Sequence, residues 1–127
     1  MNDGADGVAR EFWERMRGND FASVAPLLAD HFVLEWPQTR ERIRGAANFV
    51  RMNAEYPAHG PWRFTINRLV GDARDAVSDV SINDGALQAR AITFFEVADG
   101  GVRRLVEWRP EPCDAPAGRA HLVERME

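Results

Sequence analysis

Two glutamates stand directly before tryptophans near the ends of apolar runs, and these pairs are the sequence's best candidates for proton transfer. Glu35 precedes Trp36 in "FVLEWPQT", and Glu107 precedes Trp108 in "RRLVEWRP". A carboxyl buried against an indole can serve as a general acid or base. Neighbouring residues of a strand point to opposite faces, however. We therefore expect both tryptophans to face inward and both glutamates to face outward, where arginines can pair with them.

The other groups capable of chemistry are dispersed along the chain. His31 follows Asp30, which can orient an imidazole, while His59 lies in "PAHGP" and His121 near the C-terminus. These positions share no metal-ligand spacing, and the sequence has no HExxH, DxDxDG or cysteine cluster. No GxSxG elbow surrounds a serine. We predict no metal, no cofactor and no catalytic set that the residues alone identify.

Composition limits the classes of function. A chain of 127 residues is long enough for one domain with a sizeable core, so we predict a single domain over 1–127. Acidic residues outnumber basic ones, 20 against 16, which disfavours nucleic acid and anionic membranes as partners. All 16 basic residues are arginines, and without lysine there is no Schiff-base or P-loop chemistry. One unpaired Cys113, together with the lack of an apolar span or signal peptide, favours the cytoplasm.

The elements that must position these residues divide into helices first and strands afterwards. Apolar spacing predicts an amphipathic helix over 5–17, a short helix after Asp20 that Pro26 tightens or bends, and a third helix from about 46 to 56. Between them we expect a strand at 31–36 and a polar loop in "QTRERIRG". From residue 62 onward, four β-rich runs separated by "GDAR", "NDG" and "ADGG" predict an antiparallel meander. This order indicates an α+β domain.

The order of elements, with "FWERMRGNDFASVAPLLADHFVLEWP", "IRGAANFV" and "VEWRPEP", resembles the nuclear transport factor 2-like superfamily, and within it the SnoaL-like polyketide cyclase and ketosteroid isomerase-type branch. The resemblance covers roughly residues 6–112 of the chain. It implies a cone-shaped α+β barrel, in which a curved antiparallel sheet is covered by three N-terminal helices. We expect residues 110–127 to form a tail that wraps over the surface or onto a partner subunit.

The catalytic positions that the resemblance implies hold unsuitable side chains. Ketosteroid isomerases use a tyrosine and two acids, and the matching positions here are Phe12, Trp36 and Thr93. None of the three can carry out that proton transfer. Related cyclases and epoxide hydrolases place an acid two residues after the aromatic residue of the last strand, where this chain has Pro110. The isomerase mechanism is therefore disfavoured.

What remains is an apolar, largely aromatic interior that could bind a small molecule. We predict a ligand pocket for a small apolar or aromatic molecule, with rim positions expected for Trp36, Met52 and Trp108. The eight predicted pocket residues are Phe12, Met16, Trp36, Phe49, Met52, Thr93, Phe95 and Trp108. Two alternatives stay open: a cofactor-independent isomerase, cyclase or dehydratase with a non-standard acid or base, and an interaction domain whose cavity is filled by its own side chains.

The residues on the outward face of the predicted sheet indicate a protein partner in addition to the small molecule. Alternation places Asp79 and Arg90 on that face together with Ile92, Phe94 and Glu96. Apolar side chains on an exposed sheet face suggest an interface, and the resemblance implies pairing through this face. We therefore predict a homodimer.

Overall fold

The computed structural model describes residues 4–126, so the first three residues and the last residue of the predicted 1–127 domain lie outside the described part. The chain begins with helix α1, Ala5–Arg17, as the apolar spacing predicts. Its buried stripe contains Ala5, Ala9, Phe12, Trp13 and Met16. Because these residues recur every three or four positions, they face the sheet as one surface.

The second helical segment is a 3-10 helix, Phe21–Leu27, and not an α-helix. Pro26 lies inside it and lacks the N–H that a longer α-helix would need. The third helix, α2, covers Ala46–Glu55, close to its predicted range. Gly45 precedes α2 with a φ of 84°, a conformation that favours glycine.

Six strands form one curved sheet that does not close into a full barrel. They are β1 Leu28–Trp36, β2 Glu41–Arg44, β3 Arg63–Gly71, β4 Asp75–Asn83, β5 Gln88–Ala98 and β6 Gly101–Trp108. The order across the sheet is β2-β1-β6-β5-β4-β3. The last four strands form the predicted antiparallel meander, while β1 runs parallel to β6. The α+β class and the sheet covered by helices are confirmed.

Two features around β1 differ from the sequence-based expectation. The strand starts at Leu28, three residues earlier than predicted, and it contains an irregularity between Leu28 and Val33. The predicted polar loop contains β2, which pairs with β1 from Val33 to Trp36. Only Ile43 of β2 is apolar, so this edge strand shows no hydrophobic alternation that could reveal it in the sequence.

An aromatic cluster joins the helices to the sheet. The ring of Phe12 packs edge-on against Trp13 and Phe95, with centroids 5.0 and 5.3 Å apart. Phe32 and Phe49 make a similar contact at 5.6 Å. Such pairs add to the stability gained from burying the rings themselves. The core therefore lies between α1, α2 and the concave face of the sheet.

The C-terminal segment differs from the rest of the chain because every described residue of the predicted tail, 110–126, is exposed. It contains one short 3-10 helix, Ala117–Leu122, with no buried residue. Leu122, Val123 and Met126 expose more than half of their surface.

Within residues 4–126, no helix has both the length and the apolar character needed to cross a membrane.

Candidate functional site

A cavity of about 70 Å³ lies between α1, α2 and the concave face of the sheet, and we call it the inner cavity. Most of its wall is aromatic or sulfur-containing: Phe12, Trp13, Met16, Trp36, Phe49, Met52, Tyr56, Trp62 and Phe64. Its polar lining residues are Asn53, Glu107 and Arg109. This composition, apolar walls with a few polar groups, is typical of small-molecule sites.

The structure places five of the eight predicted pocket residues around the inner cavity: Phe12, Met16, Trp36, Phe49 and Met52. Two others, Thr93 and Phe95, are completely buried behind the wall. Phe95 supports the ring of Phe12, and Thr93 donates a hydrogen bond to Glu107, so both act on the cavity through a neighbour. Their predicted inward orientation agrees with their burial.

The predicted position of Trp108 in the pocket has to be corrected. This residue lies on the outer face of the sheet with 41% of its surface exposed. Glu107, expected outside, is buried and lines the cavity. The cause is a β-bulge in β6: Ala98 pairs with Gly101 and Val97 with Val102, but Glu96 pairs with Arg104. Arg103 is the extra residue, and it reverses the alternation for the rest of the strand.

Glu107 receives three hydrogen bonds from side chains around it. Trp36 donates its indole N–H to Oε1 at 3.0 Å, and Thr93 donates its hydroxyl to Oε2 at 3.1 Å. Arg109 donates its Nε–H to Oε1 at 3.2 Å. A buried carboxylate needs such partners, because its desolvation is otherwise costly. Glu107 is thus a fixed negative group at the wall of an apolar cavity.

Arg109 contributes its guanidinium group to the wall of the cavity. Its Cζ lies 5.7 Å from the ring centroid of Trp36 and 5.6 Å from that of Tyr56. These distances are within the range of cation–π interactions. An outer pocket of about 230 Å³ is also lined by Trp36, Tyr56 and Arg109. These three residues therefore border both spaces.

Glu35 points away from the cavity, as predicted from strand alternation. It pairs with Arg42 of β2 at 2.6 Å and accepts a hydrogen bond from Arg104 Nε at 2.8 Å. The hydrogen bonds from these two arginines hold the pKa of the Glu35 carboxyl below its usual value, and the one from Arg104 has the larger effect. Glu35 is accordingly part of a surface ion network and not a cavity acid.

The loop before β3 and the turn between β4 and β5 are tied together by Asp84. Its buried side chain accepts hydrogen bonds from the backbone N–H of Leu87 at 2.7 Å and of His59 at 2.9 Å, and it contacts His59 Nδ1 at 3.0 Å. These contacts, led by the Leu87 N–H, lower the pKa of Asp84. The side chain of His59 is mostly exposed. This link fixes Leu87, a residue of the cavity wall.

The other two histidines lie apart from the cavity. His31 occupies the irregular part of β1 with a φ of 61° and is exposed, and His121 lies in the exposed tail. Within the described residues, no group of three or more His, Cys, Asp or Glu is placed to hold a metal ion.

Sequence reasoning missed several residues of the cavity wall, including Trp13, Tyr56, Trp62 and Arg109. The inward position of Trp13 could have been predicted, since this residue belongs to the apolar stripe of α1. Its indole N–H donates a hydrogen bond to Ser78 Oγ at 3.0 Å. Tyr56 and Trp62 flank a loop, where periodicity gives no orientation. Asn19 positions Trp62 by hydrogen bonds to both its N–H and its carbonyl group.

Comparison with known proteins gives one family match and many structural matches. The model of the SnoaL-like domain family matches residues 9–107. A crystal structure from Kribbella flavida DSM 17836, named a candidate ketosteroid isomerase, is 39% identical with a TM-score of 0.87, over 94% of this chain and 87% of that one. No curated protein matches the chain with a significant score.

More distant structures share the fold alone. A nuclear transport factor 2-like protein of unknown function from Burkholderia xenovorans LB400 is 22% identical, with a TM-score of 0.76 over 94% of this chain and 93% of that one. A candidate polyketide cyclase from Sinorhizobium meliloti is 15% identical, with a TM-score of 0.66 over 79% and 92%. With the family model covering most of its length, the chain belongs to the SnoaL-like domain family of the nuclear transport factor 2-like superfamily.

Proposed function

We propose that this protein binds a small apolar or aromatic molecule in the inner cavity, with Glu107 as the polar group that orients it. The observation that carries the proposal is one buried carboxylate in a wall made mostly of aromatic and methionine side chains. Apolar walls supply affinity through burial, and a single charged group fixes the orientation of the bound molecule. Met52 and Met16 can adapt to an irregular ligand shape.

The test uses benzyl alcohol as a probe, with binding followed by amide chemical-shift changes in NMR spectra. We expect changes at residues around the inner cavity. Replacement Ala89→Phe should remove them, because Ala89 lines the cavity and a phenyl group would fill it. Ala54→Phe, on the exposed side of α2, is the matched control and should leave binding intact. Shifts that persist in Ala89→Phe would contradict the proposal.

A second candidate function is cofactor-independent acid–base catalysis, as an isomerase, cyclase or dehydratase. The observation that favours it is again Glu107, the only carboxyl group among the described residues of the cavity wall. Because Phe12, Trp36 and Thr93 occupy the positions that the family resemblance assigns to the isomerase groups, catalysis would have to use Glu107. A turnover assay on bound ligands separates the two functions: Glu107→Gln should abolish turnover in an enzyme while retaining some binding.

We also propose a homodimer that forms through the outer face of β4, β5 and β6. Val77, Phe94 and Val106 stand opposite one another there, and Trp108 lies beside Ile92 in the next row. Phe94 and Trp108 expose 46% and 41% of their surface. A contiguous apolar patch of this kind is typical of interfaces. The exposed tail, 110–126, is a candidate to contact the partner subunit.

Light scattering on the full chain tests the dimer. Phe94→Asp should give a monomer, because a carboxylate would be desolvated at the centre of the patch. Ala54→Asp, at an exposed position of α2 on the opposite side of the sheet, is the control and should keep the dimer. A wild-type protein that is monomeric at micromolar concentration would overturn this part of the proposal.

The exposed, unpaired Cys113 supports a reducing compartment such as the cytoplasm.

A further inference from the structure

The ligand of the inner cavity can be defined further from the position of Arg109. The guanidinium group of this residue lies against Trp36 and Tyr56 and also donates to Glu107. Two aromatic faces and a carboxylate are the groups that recognise an organic cation. The protein's own arginine thus occupies a position suited to a positively charged group.

Cavity size gives an independent reason to expect that Arg109 moves. The inner cavity alone, about 70 Å³, is far below the roughly 300–1,000 Å³ of ordinary ligand pockets. The outer pocket has about 230 Å³, and Arg109 lines both spaces. If its side chain turned outward into the outer pocket, the space that the guanidinium group now fills beside Trp36 and Tyr56 would be added to the inner cavity.

The outer pocket offers a place for the displaced side chain. Glu41 and Glu111 line it and carry carboxylates with which the guanidinium group could pair. Once Arg109 has turned outward, Glu107 lies in an apolar cavity without its cationic partner, and such a charge is costly. A ligand that displaces Arg109 therefore binds more tightly when it brings a positive charge of its own.

On the basis of the function proposed above, we propose that the cavity binds an organic cation, a small aromatic or apolar molecule carrying a protonated amine. Its ammonium group displaces Arg109 and lies between Trp36, Tyr56 and Glu107. Its apolar part occupies the inner cavity against Phe12 and Phe49. Arg109 then pairs with the acidic residues of the outer pocket.

The experiment compares benzylammonium with benzyl alcohol, two probes of similar size that differ in charge, by NMR titration of the full chain at pH 7. The wild-type protein should bind benzylammonium about tenfold more tightly, since a desolvated cation–π contact with a carboxylate is worth about one order of magnitude in affinity. Glu107→Gln should remove this preference. Arg109→Met should tighten benzylammonium binding about tenfold by removing the competing guanidinium, whereas Arg10→Met, an exposed position of α1, should have no effect.

The outcomes separate this inference from the proposed function. Equal affinity for the two probes, with shifts in the inner cavity, overturns the cation inference and leaves the apolar-ligand function standing. If neither probe enters the cavity, even in Arg109→Met, both proposals fail and the filled-cavity interaction domain is favoured. Arg109→Gln provides a second variant should Arg109→Met fold poorly, and circular dichroism checks both.

Discussion

Replacing Glu107 and Trp108 separately tests which of these neighbours faces the core. In the structure, Glu107→Ala leaves the indole N–H of Trp36 and the buried hydroxyl of Thr93 without their acceptor. Each buried group that loses its partner costs about 1–3 kcal/mol, and water entering the cavity can replace part of that loss. We expect Glu107→Ala to lower the free energy of unfolding by about 2–4 kcal/mol.

Trp108→Ala should cost much less than a core tryptophan does. Removing a buried aromatic side chain typically costs about 3–5 kcal/mol, but Trp108 is 41% exposed on the outer face. We expect about 1–2 kcal/mol for the protomer. Since the same face is proposed as a dimer interface, the measurement is made at two protein concentrations, because only a loss of dimer stability depends on concentration.

Urea unfolding followed by circular dichroism provides the assay, with Glu111→Ala as a control at an exposed glutamate nearby. The control should change the free energy of unfolding by less than about 0.5 kcal/mol. Regular alternation without the bulge predicts the reverse order, a small cost at Glu107 and a severe one at Trp108. A result in that order would refute the assignment of Glu107 to the cavity, and with it both proposals that depend on this carboxylate.

Two further predictions concern the surface network and the core. Arg104 and Arg42 lower the folded-state pKa of Glu35, so its contribution to stability is present above the ordinary value of 4.5 and is lost as the pH falls through the folded pKa. Glu35→Gln should therefore cost about 1 kcal/mol at pH 7 and progressively less below about pH 4.5, measured by urea unfolding across that range; an equal cost at both ends would contradict this. Ser78→Ala should lower the free energy of unfolding by about 1–3 kcal/mol, because the buried indole N–H of Trp13 loses its acceptor. In a Trp13→Phe background, which lacks this donor, the same replacement should cost much less, as a double-mutant cycle would measure.

Patterns that depend on local chemistry were predictable from the sequence. Helix α1 has its apolar stripe at regular spacing and ends before Gly18, so its bounds agree with the prediction. The outward side of Glu35 followed from alternation over the regular part of β1, Val33 to Trp36, and its arginine partner from the neighbouring charged segment. The sequence pattern sufficed wherever each element kept a constant period.

Features that depend on pairing between strands were not predictable. Strand β2 is held by its hydrogen bonds to β1, and its own residues carry no pattern. The bulge at Arg103 leaves no local mark beyond two consecutive arginines, yet it determines which of Glu107 and Trp108 lines the cavity. The family resemblance gave the fold, but it could not give the register of one strand in this chain.

Deletion of Arg103 tests this reading of the bulge most directly. Val102 pairs with Val97 and Arg104 with Glu96, so removing the unpaired residue between them should leave Leu105 and Glu107 facing inward. We expect a folded protein that loses the Arg103–Glu96 pair and some strand curvature. Glu107→Ala should still cost about 2–4 kcal/mol in this background, by the hydrogen bonds to Trp36 and Thr93. Deletion of Val106 instead shifts Glu107 to the position and side that Val106 occupies, so there the same replacement should become nearly neutral. If Glu107→Ala were instead nearly neutral in the Arg103 deletion, as in the Val106 deletion, Arg103 would not be the extra residue of β6.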